Sequence, residues 1–318
     1  ISLPDYDLPT GTLTDLAALD VVPRRSVVLA GEGIINILEN FIQQWHRKFV
    51  LFIQPDGTIR VKDIFGLPSH PFGLPGRTGA YDLVTGLSIA GRASMVEMQF
   101  ADFVSCGFNQ IVNNLAKSRY RWNQSVNVVV RMPTGAGVGA GPFHSQSNEA
   151  WFTHVPGLKV VYPSTPFDAK GLITTSLIDP NPVLYFEHKF LYRSIEGLVP
   201  DEYYNLPLGK ARVVQDGSDI TIATYGLGVH WATEAAAEFP GASIEIIDLR
   251  TLLPWDKELV YASVEKTGKC LVLHEDTIAG GFGAEIASSI SEQCFRFLDA
   301  PVMRLGSLDT PVPFNTEL

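Results

Sequence analysis

Seven short runs of apolar, largely β-branched residues recur along this chain, and their rhythm restricts the fold more than any other feature. They are SVVLAG (26–31), VNVVVRM (126–132), LKVVYP (158–163), PVLYFE (182–187), DITIATYG (219–226), SIEIIDL (243–249) and CLVLHE (270–275). Each is nearly continuous in hydrophobicity, as strands covered on both faces are, and lacks the alternation of a half-exposed sheet. Between them FADFVSCGFNQIVNNLAKSRY (100–120) sets apolar residues at helical spacing, and VHWATEAAAEF (229–239) is rich in helix formers. The alternation predicts an α/β fold: two parallel-sheet α/β domains in succession. The polar, Pro-containing segment from Tyr192 to Gly217 separates two strand-helix series, giving domains 1–195 and 196–318.

The first 90 residues fit this rhythm less well. SVVLAGEG reads as a strand ending in a Gly-Glu-Gly turn, residues 33–53 as a helix running into a strand, and the Gly- and Pro-crowded residues 55–80 as long loop.

Composition excludes several function classes. The 318 residues leave room for two domains, and 46% hydrophobic with 18% charged residues is far from a disordered composition. Lys and Arg total 24 against 34 Asp and Glu, a net charge of -10, which disfavours nucleic acid or an anionic membrane as partner. No run of 18 apolar residues is present, so no segment is predicted to span a bilayer. Cys106, Cys270 and Cys294 lie far apart without CxxC spacing, which predicts a reducing compartment and neither a disulfide framework nor a cysteine-built zinc site. The acidic, Pro-containing stretch ISLPDYDLPTGTLTDL is unlike a signal or transit peptide. A cytoplasmic location follows, or the mitochondrial matrix in a eukaryote.

The richest candidate for chemistry is RMPTGAGVGAGPFHSQSNEAWF (131–152). A strand enters a loop with glycines at 135, 137, 139 and 141, followed by Phe143, His144, Ser145 and Gln146. Glycines let backbone approach a ligand closely, and a histidine carried there suits proton transfer near neutrality. A surface loop with a packed His144 is the alternative, and the glycines do not match a phosphate-binding GxxxxGK[ST]. In VEMQFADF (96–103), Glu97 and Asp102 bracket Phe100 and Phe103. Phe103 is either core or an aromatic wall for a flat heterocycle, and Asp102 is a candidate helix cap. Glu32 ends a predicted strand, where a carboxylate is either solvated or an acid/base. HEDTIAGGFGAEI (274–286) is either an anion-binding turn at a helix start or close helix-strand packing. His46, His70, His154, His188 and His230 lack metal-ligand spacing, and no GxSxG elbow is present.

From Gly86 to Phe314 these segments, in order, resemble the beta subunit of the thiamine-diphosphate-dependent decarboxylase component of 2-oxoacid dehydrogenase complexes. The resemblance rests on GLSIAGRASMVEMQFADF, IVNNLAKSRYRW, residues 131–172 with the HSQ motif, DPNPVLYFEHKFLYRS, GSDITIATYGLGVHWA, IIDLRTLLPWD, KTGKCLVLHEDTIAGGFGAEI and LDAPVMRLGSLDTPVPF. FADF, the HSQ loop and LYR are closer to branched-chain members than to the pyruvate type.

The resemblance implies a transketolase-like fold: a pyrimidine-binding α/β domain, then a transketolase C-terminal-type α/β domain. It implies thiamine diphosphate held between this chain and an alpha subunit in an α2β2 assembly, with Mg2+ and the diphosphate on the alpha side. The alpha-side GDG…N signature is absent, so the chain would supply half an active site. A lipoyl-bearing acyltransferase core is the further implied partner. By residue, His144 matches the histidine facing the reacting centre, and Phe103 the ring against the pyrimidine with Gln99 close by. Glu32 matches the acid of the family's G-E-[DE]-V turn. Val126 and Val128 carbonyls with Ser176, Asp179 and Asn181 match a structural potassium site, although Asp179-Pro180-Asn181-Pro182 is also a good turn.

The sequence departs from the family in one respect. Relatives carry T-P-x-x-E shortly before the stretch equivalent to GLSIAG, and its glutamate pairs with pyrimidine N1′. Here the region reads PFGLPGRTGAYDLVTGLSIAG, with Arg77 or a neighbour at that place and Asp82 the nearest acid. Lost activity, a relocated glutamate role, or an unreliable sequence in this part of the chain would each explain it, and the sharp break between good and poor matching at about residue 80 favours the third. A non-catalytic assembly or regulatory subunit and an acetoin-cleaving relative are the alternative functions.

Overall fold

The computed structural model describes residues 25–26, 49–53, 59–63, 70–72, 79–89 and 91–315. The described chain opens with β1 (Arg25–Ser26), β2 (Phe49–Ile53), β3 (Ile59–Asp63), β4 (His70–Phe72), α1 (Gly79–Ile89) and β5 (Ala93–Glu97). A 3-10 segment (Ala101–Gly107), a π-helical segment (Gln110–Leu115) and α2 (Ser118–Trp122) lead to β6 (Val128–Thr134). Next come α3 (Ala150–Thr153), β7 (Lys159–Val161), α4 (Pro166–Ile178), β8 (Val183–His188) and α5 (Leu191–Ser194). The second half runs β9 (Arg212–Gln215), β10 (Ile220–Thr224), α6 (Gly228–Glu238), β11 (Ile244–Asp248), β12 (Thr251–Leu253), α7 (Lys257–Thr267), β13 (Cys270–Thr277), α8 (Gly283–Gln293) and β14 (Met303–Ser307).

Two sheets carry the architecture. The first has the order β1-β5-β6-β8-β7-β12 and is parallel except where β12 joins β7 antiparallel. The second has the order β14-β13-β10-β11-β9, parallel except at β9. Every residue of β5, β6, β8 and β11 is buried. Burial on both faces explains why their sequences are apolar without alternation. β12 comes from the second half of the chain yet completes the first sheet. One apolar cluster joins Val128, Val130, Leu184 and Phe186 to Ala223, Tyr225, Leu249 and Trp255, so the halves share a core. Tyr162 stacks on Phe186 at 5.9 Å and meets Tyr225 at 5.3 Å.

Local chemistry sets the helix ends. Thr165 accepts from the Asp168 amide (3.2 Å) with Pro166 at the first helical position of α4, and Asp256 accepts from the Leu259 amide to start α7.

Two expectations change. Residues 55–80 are not loop throughout, because β3 and β4 form a three-stranded antiparallel sheet with β2. The alternating IRVKD of β3 was hidden among turn residues, and Pro71 is tolerated because β4 is an edge strand. Residues 100–120 are not one regular helix. Their winding changes from 3-10 to π to α, while side chains of the 144–148 segment bond to Ala101 and Asp102. Of the run 26–31 only Ser26 is among the described residues, and it pairs in parallel with Ser94.

Candidate active site

Three adjacent parallel strands, β5, β6 and β8, end at the same edge of the first sheet, where open α/β sheets bind ligands. The end of β5 delivers Gln99 to Phe103, β6 delivers the glycine loop, and β8 delivers His188 and Lys189. The loop is closed at its neck: the Gly135 amide donates to Gln146 O (3.2 Å), as does the Thr134 hydroxyl (2.9 Å). Gly135 is required there. Its φ is +88°, and a Cβ would fall inside the His188 imidazole.

This neck places His144 in a trio of rings. Its imidazole meets Phe100 edge to face at 5.0 Å and Phe103 at 5.4 Å, while Phe100 and Phe103 meet at 5.9 Å. Such edge-to-face geometry is favoured by the ring quadrupoles. Phe103 and His144 are half-buried and Gln99 is exposed, so the trio keeps an open side. Its surroundings hold it firmly. Lys189 donates to His144 O (2.6 Å) and lies 5.0 Å from the Phe100 ring centre. Burial lowers the Lys189 pKa, opposed by the charges of Asp102 and Glu275. The Asp102 carboxylate accepts from both the amide and the side chain of Gln146 (3.0 Å each). Asp102 is therefore a latch on the loop and not the expected helix cap; Phe100 occupies the cap position without a side-chain bond.

The structure brings the sequence candidates His144 and Phe103 into contact, with Gln99 close by in the chain, and it adds buried charges of which the sequence reading singled out only Glu97. Arg131, 2% exposed, lies between Glu97 and Glu187 and donates to the Tyr192 hydroxyl at 3.0 Å. Burial alone would lower its pKa, but Glu187, Tyr192 and Glu97 together raise it. Glu275, on β13 of the second domain, accepts from the Ala136 amide (2.5 Å) and from His188 Nε2. Tyr225 donates to the fully buried Glu149 (2.9 Å). Burial, then the charge of Asp276, pushes Glu149 up to about 8, and burial moves Asp276 up to about 6. The available signal was position: EHK and HED each stand at the end of an apolar run. His188 drew notice in the sequence only for lacking metal-ligand spacing.

In HEDTIAGGFG, Gly281 and Gly283 pack directly on the His274 ring, so close packing explains these glycines. Of the expected cation ligands, Val126 and Val128 are buried. Ser176 donates to Leu172 O (2.7 Å), and Asp179 accepts from the Asn181 amide (2.9 Å) and pairs with Lys159. Asn127 ties the Val126–Val128 segment to Leu177 O (3.1 Å). Among the described residues no group of three His, Cys, Asp or Glu could hold a metal ion, and no helix is long and apolar enough to cross a membrane. Glu32 and Arg77 lie outside the described residues.

Residues 78–194 match the family described as transketolase, pyrimidine binding domain, and residues 209–318 the transketolase C-terminal domain. The chain is 50% identical over 230 residues to the 2-oxoisovalerate dehydrogenase subunit beta of Bacillus subtilis, covering 71% of this chain and 70% of that protein. The chain belongs to the 2-oxoacid dehydrogenase beta-subunit family. It is also 50% identical to the mitochondrial 2-oxoisovalerate dehydrogenase subunit beta 2 of Arabidopsis thaliana, over 73% of this chain and 66% of that protein. The beta subunit of an acetoin:2,6-dichlorophenolindophenol oxidoreductase from Cupriavidus necator is 43% identical, over 73% of this chain and 70% of that protein. The match thus spans about two thirds of these relatives' length. Among solved structures, a split-gene transketolase described as an inactive beta4 tetramer shares the fold, with a TM-score of 0.62 at 23% identity over 76% of this chain and 74% of that one. Within a beta-subunit family the fold expectation stands: two α/β domains of the transketolase pyrimidine-binding and C-terminal types. The break near residue 80 coincides with the start of the first match at 78.

Proposed function

We propose that this chain is the beta half of a thiamine-diphosphate-dependent enzyme that oxidatively decarboxylates a branched-chain 2-oxoacid, or pyruvate, and passes the acyl group to a lipoyl domain. The observation that carries it is the convergence of three strand ends on the His144–Phe100–Phe103 trio, in a chain of this family. The half-buried Phe103 with an open side fits a flat aminopyrimidine ring. Phe103 and Gln99 would hold that ring, with Glu32 lining the same pocket. Bound thiamine diphosphate supplies the electron sink for loss of CO2. His144, on its clamped loop, holds a proton at its imidazole for the acyl-transfer step, and the surrounding rings exclude water.

In this reading residues 1–195 form the pyrimidine-binding domain and 196–318 the C-terminal-type domain. An alpha subunit completes the site in an α2β2 assembly, holding Mg2+ and the diphosphate, and a lipoyl-bearing acyltransferase core takes the product. The location is the cytoplasm, or the mitochondrial matrix in a eukaryote. A structural K+ belongs to the same reading. Val126 and Val128 carbonyls, Ser176, Asp179 and Asn181 would hold it beside Asn127, whose buried Oδ1 lacks a hydrogen-bond partner among the described residues. K+ raising the unfolding temperature where Na+ does not would support that site.

The test is His144→Ala in the assembled enzyme. Acyl transfer to a lipoyl domain should fall about 100-fold, within the range of general acid–base effects, with assembly intact. An unchanged rate removes His144 from the mechanism. Turnover of acetoin but not of 2-oxoacids would move the chain to the other relative's chemistry.

A further inference from the structure

We propose that Glu275 is a positioning residue for His144: from the second domain it clamps the glycine loop of the first, using Ala136 and His188 as its two anchors. The proposal rests on His144 facing the reacting centre, as above.

The geometry is specific. The Phe190 amide donates to His188 Nδ1 at 3.3 Å, so Nδ1 is the acceptor nitrogen of that ring. The proton therefore sits on Nε2, which donates to Glu275 Oε2. The other carboxylate oxygen takes the Ala136 amide at 2.5 Å. Both donors belong to the first domain, and both flank the loop neck, because Gly135 packs so closely on His188 that a Cβ would fall inside its ring. His188 is 2% exposed and Glu275 is partly buried, so the imidazole end of this carboxylate-imidazole-backbone unit is shielded from water, where charge-assisted bonds are strongest. Lys189, the residue after His188, carries the hold to the far end of the loop by donating to His144 O. Glu275 fixes where the loop begins, and Lys189 fixes where its histidine stops. The site thus depends on how β13 of the second domain meets β6 and β8 of the first. Its partners separate this role from simple packing: a packing residue would need no carboxylate shared between a backbone amide and an imidazole.

The test is Glu275→Gln in the full chain, alone and purified with its partner, read by hydrogen exchange over residues 134–146. A lost bond between a charged acceptor and an amide predicts exchange faster by about 10–100-fold in that loop, with β6 and β8 peptides unchanged. His144 should also react several-fold faster with diethylpyrocarbonate, and in the assembled enzyme kcat should fall with KM for the 2-oxoacid little changed. Asp276→Asn removes a charge from the same strand and should leave loop exchange at the wild-type rate. If Glu275→Gln does not fold, Glu275→Asp, which retracts the charge by one methylene, is read in the same way. Unchanged exchange and unchanged His144 reactivity overturn the proposal, as does faster exchange with undiminished kcat in an enzyme that His144→Ala disables. A harmless His144→Ala would instead defeat the functional reading, while the exchange data still judge the clamp.

Discussion

Replacing Arg131 by Met removes a cation from between two carboxylates that have almost no access to water. The Arg131 side chain is 2% exposed, with Glu97 at 3% and Glu187 at 9%. Met fills much of the arginine stem's volume, so the packing loss is small. The main effect is that two buried acids lose their shared cation, and the Tyr192 hydroxyl loses a partner. Breaking a buried pair from one side costs about 3–5 kcal/mol, or about 6–20 °C at about 2–4 °C per kcal/mol for a domain of this size. The loss should depend on pH. Burial already raises Glu187 above the ordinary carboxylate range, with Arg131 opposing. Without Arg131 the folded-state pKa rises further, so the folded protein binds a proton that the unfolded chain releases. The deficit is then largest above that raised pKa and fades toward the unfolded value of about 4.3. Unfolding monitored at pH 5.5 and pH 8 tests this, and adding Glu97→Gln and Glu187→Gln to Arg131→Met should restore most of the stability. A loss below about 1 kcal/mol at pH 8, or one that grows on acidification, would refute the reasoning.

Two further perturbations address the loop and the domain contact. In the wild type, Glu149 at about 8 and Asp276 at about 6 both lie above their unfolded values, so stability should fall as pH rises from about 5 to 8. Glu149→Gln keeps the shape and an acceptor for Tyr225, and should flatten that decline in thermal melts; an identical pH slope would remove Glu149 as its source. Gly135→Ala forces a Cβ into His188 at a φ of +88°. It should lower acyl transfer at least about 10-fold while far-ultraviolet circular dichroism stays native, consistent with strain of about 1–3 kcal/mol; wild-type turnover would mean that the neck geometry is not needed.

The fold was legible in the sequence wherever strands are buried on both faces, because there burial writes itself as continuous apolar runs. VNVVVRM, PVLYFE and SIEIIDL became β6, β8 and β11 for that reason. It was least legible where function or edges intervene. Residues 100–120 kept helical spacing but wind irregularly, and β3 and β4 were masked by turn residues around them. Likewise the alternation of strands and helices could not say that β12 crosses over to complete the first sheet.

For the candidate site, the sequence by itself singled out the glycine loop, His144 and the aromatic pair, since each is a local pattern at a strand end. It also determined the family, through motifs in order over most of the chain. Only the tertiary structure decided which acids matter. Arg131 meets Glu187 across 56 positions and Ala136 meets Glu275 across 139, and no periodicity reaches that far. Burial also sets acidity: Glu149 is one glutamate among many in the sequence, and its enclosure, then the charge of Asp276, pushes it up to about 8 against the opposing hydrogen bond from Tyr225.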